Sequence, residues 1–395
     1  MASSIQHSLD VLCGLCTDVV TREDLEERLK RKKPLRVKLG IDPSGPLLHL
    51  GHAVVLRKLR QFQDLGHTAI LLVGDFTAQI GDPTGRVESR KPRTKDDVGR
   101  DMKTYVEQAA LILDMKRAEI VYNSTWLGGL TYSDFIRLAS NVTVARLLER
   151  DYFKERYDSG APIGLHEFLY PISVAYDSVV VKADVELGGT EQLFNLLMGR
   201  HLQAQLGQPP QICMTLPVLE GTDGVQRMGK SLNNYIALRE APESMFGKIM
   251  SLPDTLLERY WRLATTATEE DIERGLAMAP RDSKLRLAEM IVRLYHGEAA
   301  ARKAREHFER TVVRKELPEQ MREYPLESGA DGISVQKLLV LTGLAGSNRE
   351  AARLIEQGAV KVDGERVSDE QHTQTWWNGK VLQKGNRQFV RIKTS

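Results

Sequence analysis

Leu35-Arg36-Val37-Lys38-Leu39-Gly40-Ile41, then Asp42-Pro43-Ser44-Gly45-Pro46, then His49 to Leu65, decide the fold of this 395-residue chain. The first run is short and mostly apolar, as a buried strand requires. The second is a turn built from residues that fix or free φ. In the third, Val54, Val55, Leu59, Phe62 and Leu65 recur at helical spacing. Thr68–Gly74 (TAILLVG) reads as a second buried strand. Strand, helix, strand at this spacing is a βαβ unit, which implies a parallel sheet. The alternation continues to about Gly224, so the class is α/β, with an open parallel sheet and ligand at the carboxyl ends of its strands.

Beyond Asn233 the pattern changes. Pro242–Glu309 is rich in Glu, Arg, Leu, Ala and Met at helical spacing. Pro318–Gly332 carries prolines, glycines and acids and reads as a linker region. Ile333–Lys393 opens with Val335, Leu338, Leu339 and Leu341, continues through a helical stretch Ser347–Gln357, and reaches Asp363-Gly364 between strand-like runs, a hairpin signal. The expected divisions are 1–233, a helical part 234–325, a linker 326–332 and a small α+β module 333–395.

Composition excludes several classes. The chain is 42% hydrophobic and 27% charged, which is neither collagen-like nor largely disordered. The uncharged apolar stretch Ala69–Val73 is far too short to span a bilayer. Met1–Asp10 lacks the pattern of a secretory signal, and three cysteines make no disulfide framework. A cytoplasmic protein with no membrane association is expected. The net charge is +2, but from Ile333 onward ten basic residues face six acids. A +4 module on a −2 body points to a polyanionic partner.

Two motifs carry candidate chemistry. The first runs from Leu39 through Asp42-Pro43-Ser44 to His49-Leu50-Gly51-His52. A helix that starts there offers backbone N–H groups and imidazoles to an anion, and Gly51 lets a flat ring approach. Read alone, the histidines serve equally as helical neighbours or weak metal ligands. The second is Arg227-Met228-Gly229-Lys230-Ser231, in a glycine-flanked polar loop. Two cations on such a loop can follow charge developing on leaving phosphates.

Together, some 180 residues apart, these motifs resemble those of the class I aminoacyl-tRNA synthetases. Gly74–Arg86 (GDFTAQIGDPTGR), Tyr170-Pro171 with Ala175–Ser178, and Ala183–Gln192 (ADVELGGTEQ) resemble the tyrosyl members, in the bacterial branch with Val-Lys-Leu-Gly on the first strand. The C-terminal module resembles an S4-type RNA-binding domain. The resemblance covers almost the whole chain. It implies a Rossmann-like catalytic domain with a dimer-contact insertion, a helical anticodon-recognition domain and the S4-like module. It further implies a homodimer acting on ATP with Mg2+, L-tyrosine and tRNA(Tyr).

Residue by residue, the resemblance places Ser44, His49, His52, Gly189 and Glu191 on ATP. Arg227 and Lys230, joined by Arg86 and Arg90, close over its phosphates. Asp82 and Tyr170 meet the α-ammonium of tyrosine, and Asp177 accepts from the phenol. Thr77, Gln192 and Asp42 line the same site, and Lys38 stands where another branch has a tyrosine reaching the phenol. No protein ligand to a metal is expected. In the module, Arg349, Arg353, Lys361 and Arg366 are RNA-binding candidates, with an ordinary charged surface as the alternative.

This chain departs from the family pattern at three points. Val174 replaces a glutamine that helps hold the ammonium, Glu191 replaces an aspartate, and Gly229 replaces a serine. The first two leave room for a paralogue that activates tyrosine or a relative for another acceptor. A non-catalytic RNA-binding protein on the same scaffold is the other rival. Cys13-Gly-Leu-Cys16 reads as two small helical residues rather than a zinc or redox site. One ring of Trp376-Trp377 is expected inward, and Lys91, Arg93 and Lys95 are expected on a solvated loop. Phe135–Leu148 has helical spacing and family precedent as the subunit-contacting insertion.

Overall fold

Six strands form the main sheet: β1 (Asp18–Val20), β2 (Arg36–Ile41), β3 (Thr68–Val73), β4 (Ala118–Tyr122), β5 (Val185–Gly189) and β6 (Ile212–Leu216). Their order in the computed structural model is β1-β6-β5-β2-β3-β4. All neighbours are parallel except the edge strand β1, antiparallel to β6. The structure describes residues 2–84, 93–102, 104–313, 321–326, 332–367, 377–385 and 388–394.

The βαβ reading holds to within a residue at each end. β2 and β3 flank a helix at Leu50–Asp64. Val37, Leu39, Ile70, Leu71, Leu72 and Val73 are each at most 2% exposed. The helix lays Leu50, Ala53, Val54, Leu56, Leu59 and Phe62 onto the sheet, all buried. Each large side chain buried this way is worth about 1.5–3 kcal/mol, which is what fixes helix to sheet. β2 has β3 on one side and β5 on the other. The chain order therefore reverses at β2, and a crevice opens above the carboxyl ends of β2 and β5.

Residues group into two compact units, Met1–Arg305 and Glu306–Ser395. The helices Pro242–Met250, Leu257–Ala264, Glu269–Leu276 and Pro280–His296 belong to the first unit. Arg57, on the sheet-covering helix, donates to Tyr295 Oη at 2.8 Å. The change of composition at Asn233 thus marks a new layer of helices packed on the same unit.

The second unit holds a five-stranded sheet of order β7-β11-β10-β8-β9. Its strands are β7 (Arg322–Leu326), β8 (Val360–Val362), β9 (Glu365–Arg366), β10 (Val381–Lys384) and β11 (Gln388–Thr394). Helices Val335–Leu341 and Asn348–Glu356 pack Val335, Leu338, Leu339 and Ile355 into its core. Asp363 and Gly364 both have positive φ, 47° and 87°, as a tight hairpin between β8 and β9 demands. Part of the expected linker is instead structured: Arg322–Leu326 pairs in parallel with β11. Pro325 is tolerated because β7 is an edge strand, with one side free of ladder bonds. Trp377 is buried and donates from Nε1 to Ile333 O at 3.2 Å, while Trp376 lies outside the described residues. Among the described residues no helix is long and apolar enough to cross a membrane.

Candidate active site

The crevice above β2 and β5 is a cavity of about 770 Å³, inside the usual range of about 300–1,000 Å³ for ligand sites. Every nucleotide and amino-acid candidate named from the sequence lines it, except Arg86 and Arg90, which lie outside the described residues.

At its inner end stands Asp177, on the helix Leu169–Val180 and 1% exposed. Trp126 Nε1 donates to Oδ1 at 2.8 Å and Asn123 Nδ2 to Oδ2 at 3.1 Å. Burial pushes the Asp177 carboxyl up to about 6, while the Lys38 charge and the two donors hold it back. Two turns earlier on the same helix face, Tyr170 Oη donates to Asp42 Oδ2 at 3.0 Å. Thr77 Oγ1 donates to Asp42 Oδ1 at 2.7 Å and accepts from Asn123 Nδ2 at 3.0 Å. One continuous chain of hydrogen bonds therefore joins the two carboxylates. Burial, with repulsion from Asp82 and Asp177, raises Asp42 to about 7. Gly74 is required here, because a Cβ would lie 2.0 Å from Asp42 Oδ1.

Asp82 faces the same space. Thr84 N donates to its Oδ1 at 2.9 Å and Gln192 Nε2 to its Oδ2 at 2.7 Å. Acidic groups thus gather at two places, as a zwitterion with a polar far end would need. Between them, Val174 lines the wall and offers no polar side-chain atom. Lys38 is 0% exposed and spends all three donors below the floor. They go to Glu186 Oε1 at 2.8 Å, Ser178 Oγ at 2.8 Å and Val174 O at 3.1 Å.

At the other end, His49 caps the Leu50–Asp64 helix in an extended conformation. His49 N donates to His52 Nδ1 at 3.2 Å, which leaves the proton of His52 on Nε2. His49 Nδ1 is buried without a partner. Burial lowers both imidazoles, His52 to about 3, with the Lys230 charge adding to the effect. Burial thus favours the neutral form of both rings.

Backbone pairing brings the distant basic loop to these histidines. Leu50 N donates to Ile236 O at 3.0 Å, and Leu238 N to Leu48 O at 2.9 Å. Asn234 knits the loop itself, accepting from Gly229 N at 2.8 Å and donating to Asp223 Oδ2 at 2.7 Å. Lys230 Nζ reaches across the mouth to Gly45 O at 2.8 Å and Tyr105 Oη at 2.9 Å. Burial lowers its ammonium to about 8. Arg227 is exposed on the rim, and its charge acts on Glu191. Burial raises the Glu191 carboxyl, against that influence. Ser44 is hydrogen-bonded to Tyr105.

His49, His52 and Lys230 line the same cavity as Asp82 and Asp177. Residues 30–312 match the model for tRNA synthetases class I (W and Y), and residues 334–373 match the S4 domain. The chain belongs to this class I family. It is 52% identical to a tyrosine–tRNA ligase of Thermotoga maritima over 98% of this chain and 97% of that protein. It is 48% identical to one of Moorella thermoacetica over 100% and 97% respectively. Solved structures share the fold. A truncated mitochondrial tyrosyl-tRNA synthetase of Coccidioides posadasii aligns with TM-score 0.64 at 23% identity, covering 78% of this chain and 94% of that one. The tyrosyl-tRNA synthetase of Archaeoglobus fulgidus complexed with L-tyrosine gives 0.61 at 23%, covering 76% and 99%.

Sequence reasoning missed several residues in or beside this cavity. Asn123 and Trp126 follow the carboxyl end of β4, a position that itself marks candidates in an open sheet. Glu186 lies on β5 and gave no signal beyond an acid in an apolar run. Arg93, expected to be solvated, donates to Pro43 O at 2.6 Å and Asp101 Oδ2 at 2.5 Å. It lines the cavity because the turn after β2 offers it an unpaired carbonyl.

Proposed function

We infer that the chain is a tyrosine–tRNA ligase, which activates L-tyrosine with ATP and passes the tyrosyl group to tRNA(Tyr). The observation that carries this is the common cavity: Asp82 and Asp177 open onto the same space as His49 and Lys230. Asp82, Asp42 and Tyr170 suit an α-ammonium. Asp177, pre-oriented by Trp126 and Asn123, suits a phenolic proton. Buried and aimed, it leaves an unpaired acceptor if phenylalanine enters, which disfavours that competitor.

The tyrosine carboxylate attacks the α-phosphorus in line. An O–P bond forms, the bond to the β-phosphate bridge breaks, and pyrophosphate leaves with the electron pair. The nucleophile is already ionised, so no general base is needed. The protein contributes position and charge stabilisation. His49 and His52 donate to phosphate oxygens, Ser44 and Gly189 seat the nucleotide, and Glu191 takes the ribose. Lys230 and Arg227, with Arg86 and Arg90, follow the charge onto the leaving group. Lys38 acts on the phenol end through its field at Asp177. Among the described residues no group of three potential ligands forms a metal seat. Mg2+ would enter with the ATP substrate, held mostly by phosphates and water.

The helical layer Pro242–His296 serves anticodon recognition, and the module 333–395 grips RNA. Arg349 and Arg353 are exposed one turn apart on the Asn348–Glu356 helix, and Lys361 pairs across the hairpin with Arg366. Exposed apolar side chains at Tyr132, Ile136 and Val144, 83%, 52% and 61%, support a homodimer through this insertion. ATP and tRNA are cytoplasmic solutes, and there we place the reaction. Pyrophosphate exchange across the amino acids, with charging of tyrosine tRNA, tests the function. Exchange with tyrosine and charging are expected; exchange only with another amino acid, or none, overturns the reading.

A further inference from the structure

Arg150 precedes the helix Asp151–Asp158 and is 4% exposed. Its guanidinium lies over the Tyr152 ring, 4.2 Å from the centroid, and 5.3 Å from that of Phe194. A buried guanidinium needs a compensating anion, and Asp82 Oδ1 stands 3.7 Å away. Its hydrogen bonds form two branches. Nη1 donates to Asn195 Oδ1 at 3.0 Å, Asn195 Nδ2 donates to Gln192 Oε1 at 2.6 Å, and Gln192 Nε2 donates to Asp82 Oδ2 at 2.7 Å. Nη2 donates to Thr84 Oγ1, whose hydroxyl donates to Asp82 Oδ1.

Direction is the informative feature. Arginine has donors and no acceptor. It therefore turns the oxygen of Asn195 toward itself, which points that amide nitrogen at Gln192. Gln192 must then present oxygen to Asn195 and nitrogen to Asp82. The same logic orients the Thr84 hydroxyl. Both branches end as donors on the two oxygens of one carboxylate.

An ionised carboxylate offers about four lone-pair sites. Thr84 N and Thr84 Oγ1 fill those of Oδ1, and Gln192 takes one on Oδ2. Among the described residues nothing else donates to Oδ2, so one site there remains for a ligand. The Val174 side chain has no polar atom with which to set the carboxylate.

We propose that Arg150 is a positioning residue for substrate binding: through Thr84 on one side and Asn195–Gln192 on the other, it aims one lone pair of Asp82 at the substrate ammonium. This rests on the ligase reading above. Arg150 itself touches no substrate, and its effect is confined to the amino-acid half of the cavity.

The test is steady-state pyrophosphate exchange on the full chain, varying tyrosine and ATP separately, for wild type, Arg150→Met, Arg150→Lys and Thr84→Val. Circular dichroism and thermal melting confirm folding. The tyrosine KM should rise about tenfold or more in Arg150→Met, the loss of an oriented bond to a charged group. The ATP KM and kcat should stay within about threefold, less than half a decade in free-energy terms. Arg150→Lys should recover only part of the loss, because one ammonium cannot serve both forked branches. Thr84→Val cuts one branch without removing a buried charge, and should raise the tyrosine KM alone. The proposal is overturned if the tyrosine KM is unchanged in the folded variants, or if kcat and both KM values worsen together. Failure of the ligase reading shows separately, as no tyrosine-dependent exchange in the wild type, and that result overturns both.

Discussion

Lys38 Nζ lies 2.8 Å from Glu186 Oε1, with the two side chains 0% and 3% exposed. Glu186 Oε2 accepts in turn from Ser178 Oγ at 3.0 Å and from Gln211 Nε2. The pair is therefore satisfied by these partners and forms a buried charged floor beside Asp177. Removing one partner strands the other. Lys38→Met should cost about 3–5 kcal/mol of stability, measured by urea unfolding. Lys38→Met with Glu186→Leu should recover most of that. A folded, fully stable Lys38→Met that merely loses tyrosine would instead make Lys38 a direct ligand.

Asp177 is held by Trp126 and Asn123 in one orientation. Asp177→Ala should reduce the preference for tyrosine over phenylalanine by about tenfold or more, the worth of one bond to a charged acceptor. Competing exchange assays read this ratio directly. Unchanged discrimination would show that the phenol is read elsewhere.

Asp42 titrates near 7 and Asp177 near 6, both raised by burial first. Between about pH 4 and these values the folded state holds protons that the unfolded chain has lost. Their contribution to stability is full below pH 4 and is lost as pH rises through 6–7. Without ligand, wild type should lose stability relative to Asp42→Asn between pH 5 and pH 8. Tyrosine supplies a cation, so its binding should release protons and tighten over the same interval. Calorimetry in buffers of different ionisation enthalpy measures that release.

Val174 sits one helical turn after Tyr170 on the cavity wall. Val174→Gln places an amide within the ammonium half. The tyrosine KM should fall, by up to about tenfold for one added bond to a charged group. An equal or higher KM would mean that the Asp82 arrangement already satisfies the ammonium.

Lys230 spans the mouth to Gly45 O. Lys230→Met should lower kcat by about 10²–10³, as for loss of a donor that acts on developing charge. The tyrosine KM should hardly move, since Lys230 lies at the phosphate end. Stopped-flow or quench measurement of adenylate formation separates this from product release.

Local pattern carried much of the architecture. The apolar runs of β2 and β3, the helical repeat Val54–Phe62 and the Asp363-Gly364 turn follow from neighbour-to-neighbour periodicity and backbone preference. Residue types in the resembling motifs also marked the cavity walls. Arg322–Leu326 escaped that reading because a five-residue edge strand with a proline has no local signature. Arg93 escaped because its partner, a turn carbonyl, is fifty positions away.

By itself, the sequence determined the parallel α/β order, the placing of His49 and His52 at a helix start, and which acids were available to a substrate. Only the tertiary structure decided what each charge faces. Strand order sets Glu186 beside Lys38, so the lysine is buried in a pair rather than offered to a ligand. Pairing of Leu48 and Leu50 with Ile236 and Leu238 delivers Lys230 to the mouth. Convergence of three segments turns Arg150 toward Asp82. The physical reason is range: periodicity and propensity act over a few residues, whereas the field at a buried side chain is set by whichever groups the sheet brings within a few ångströms.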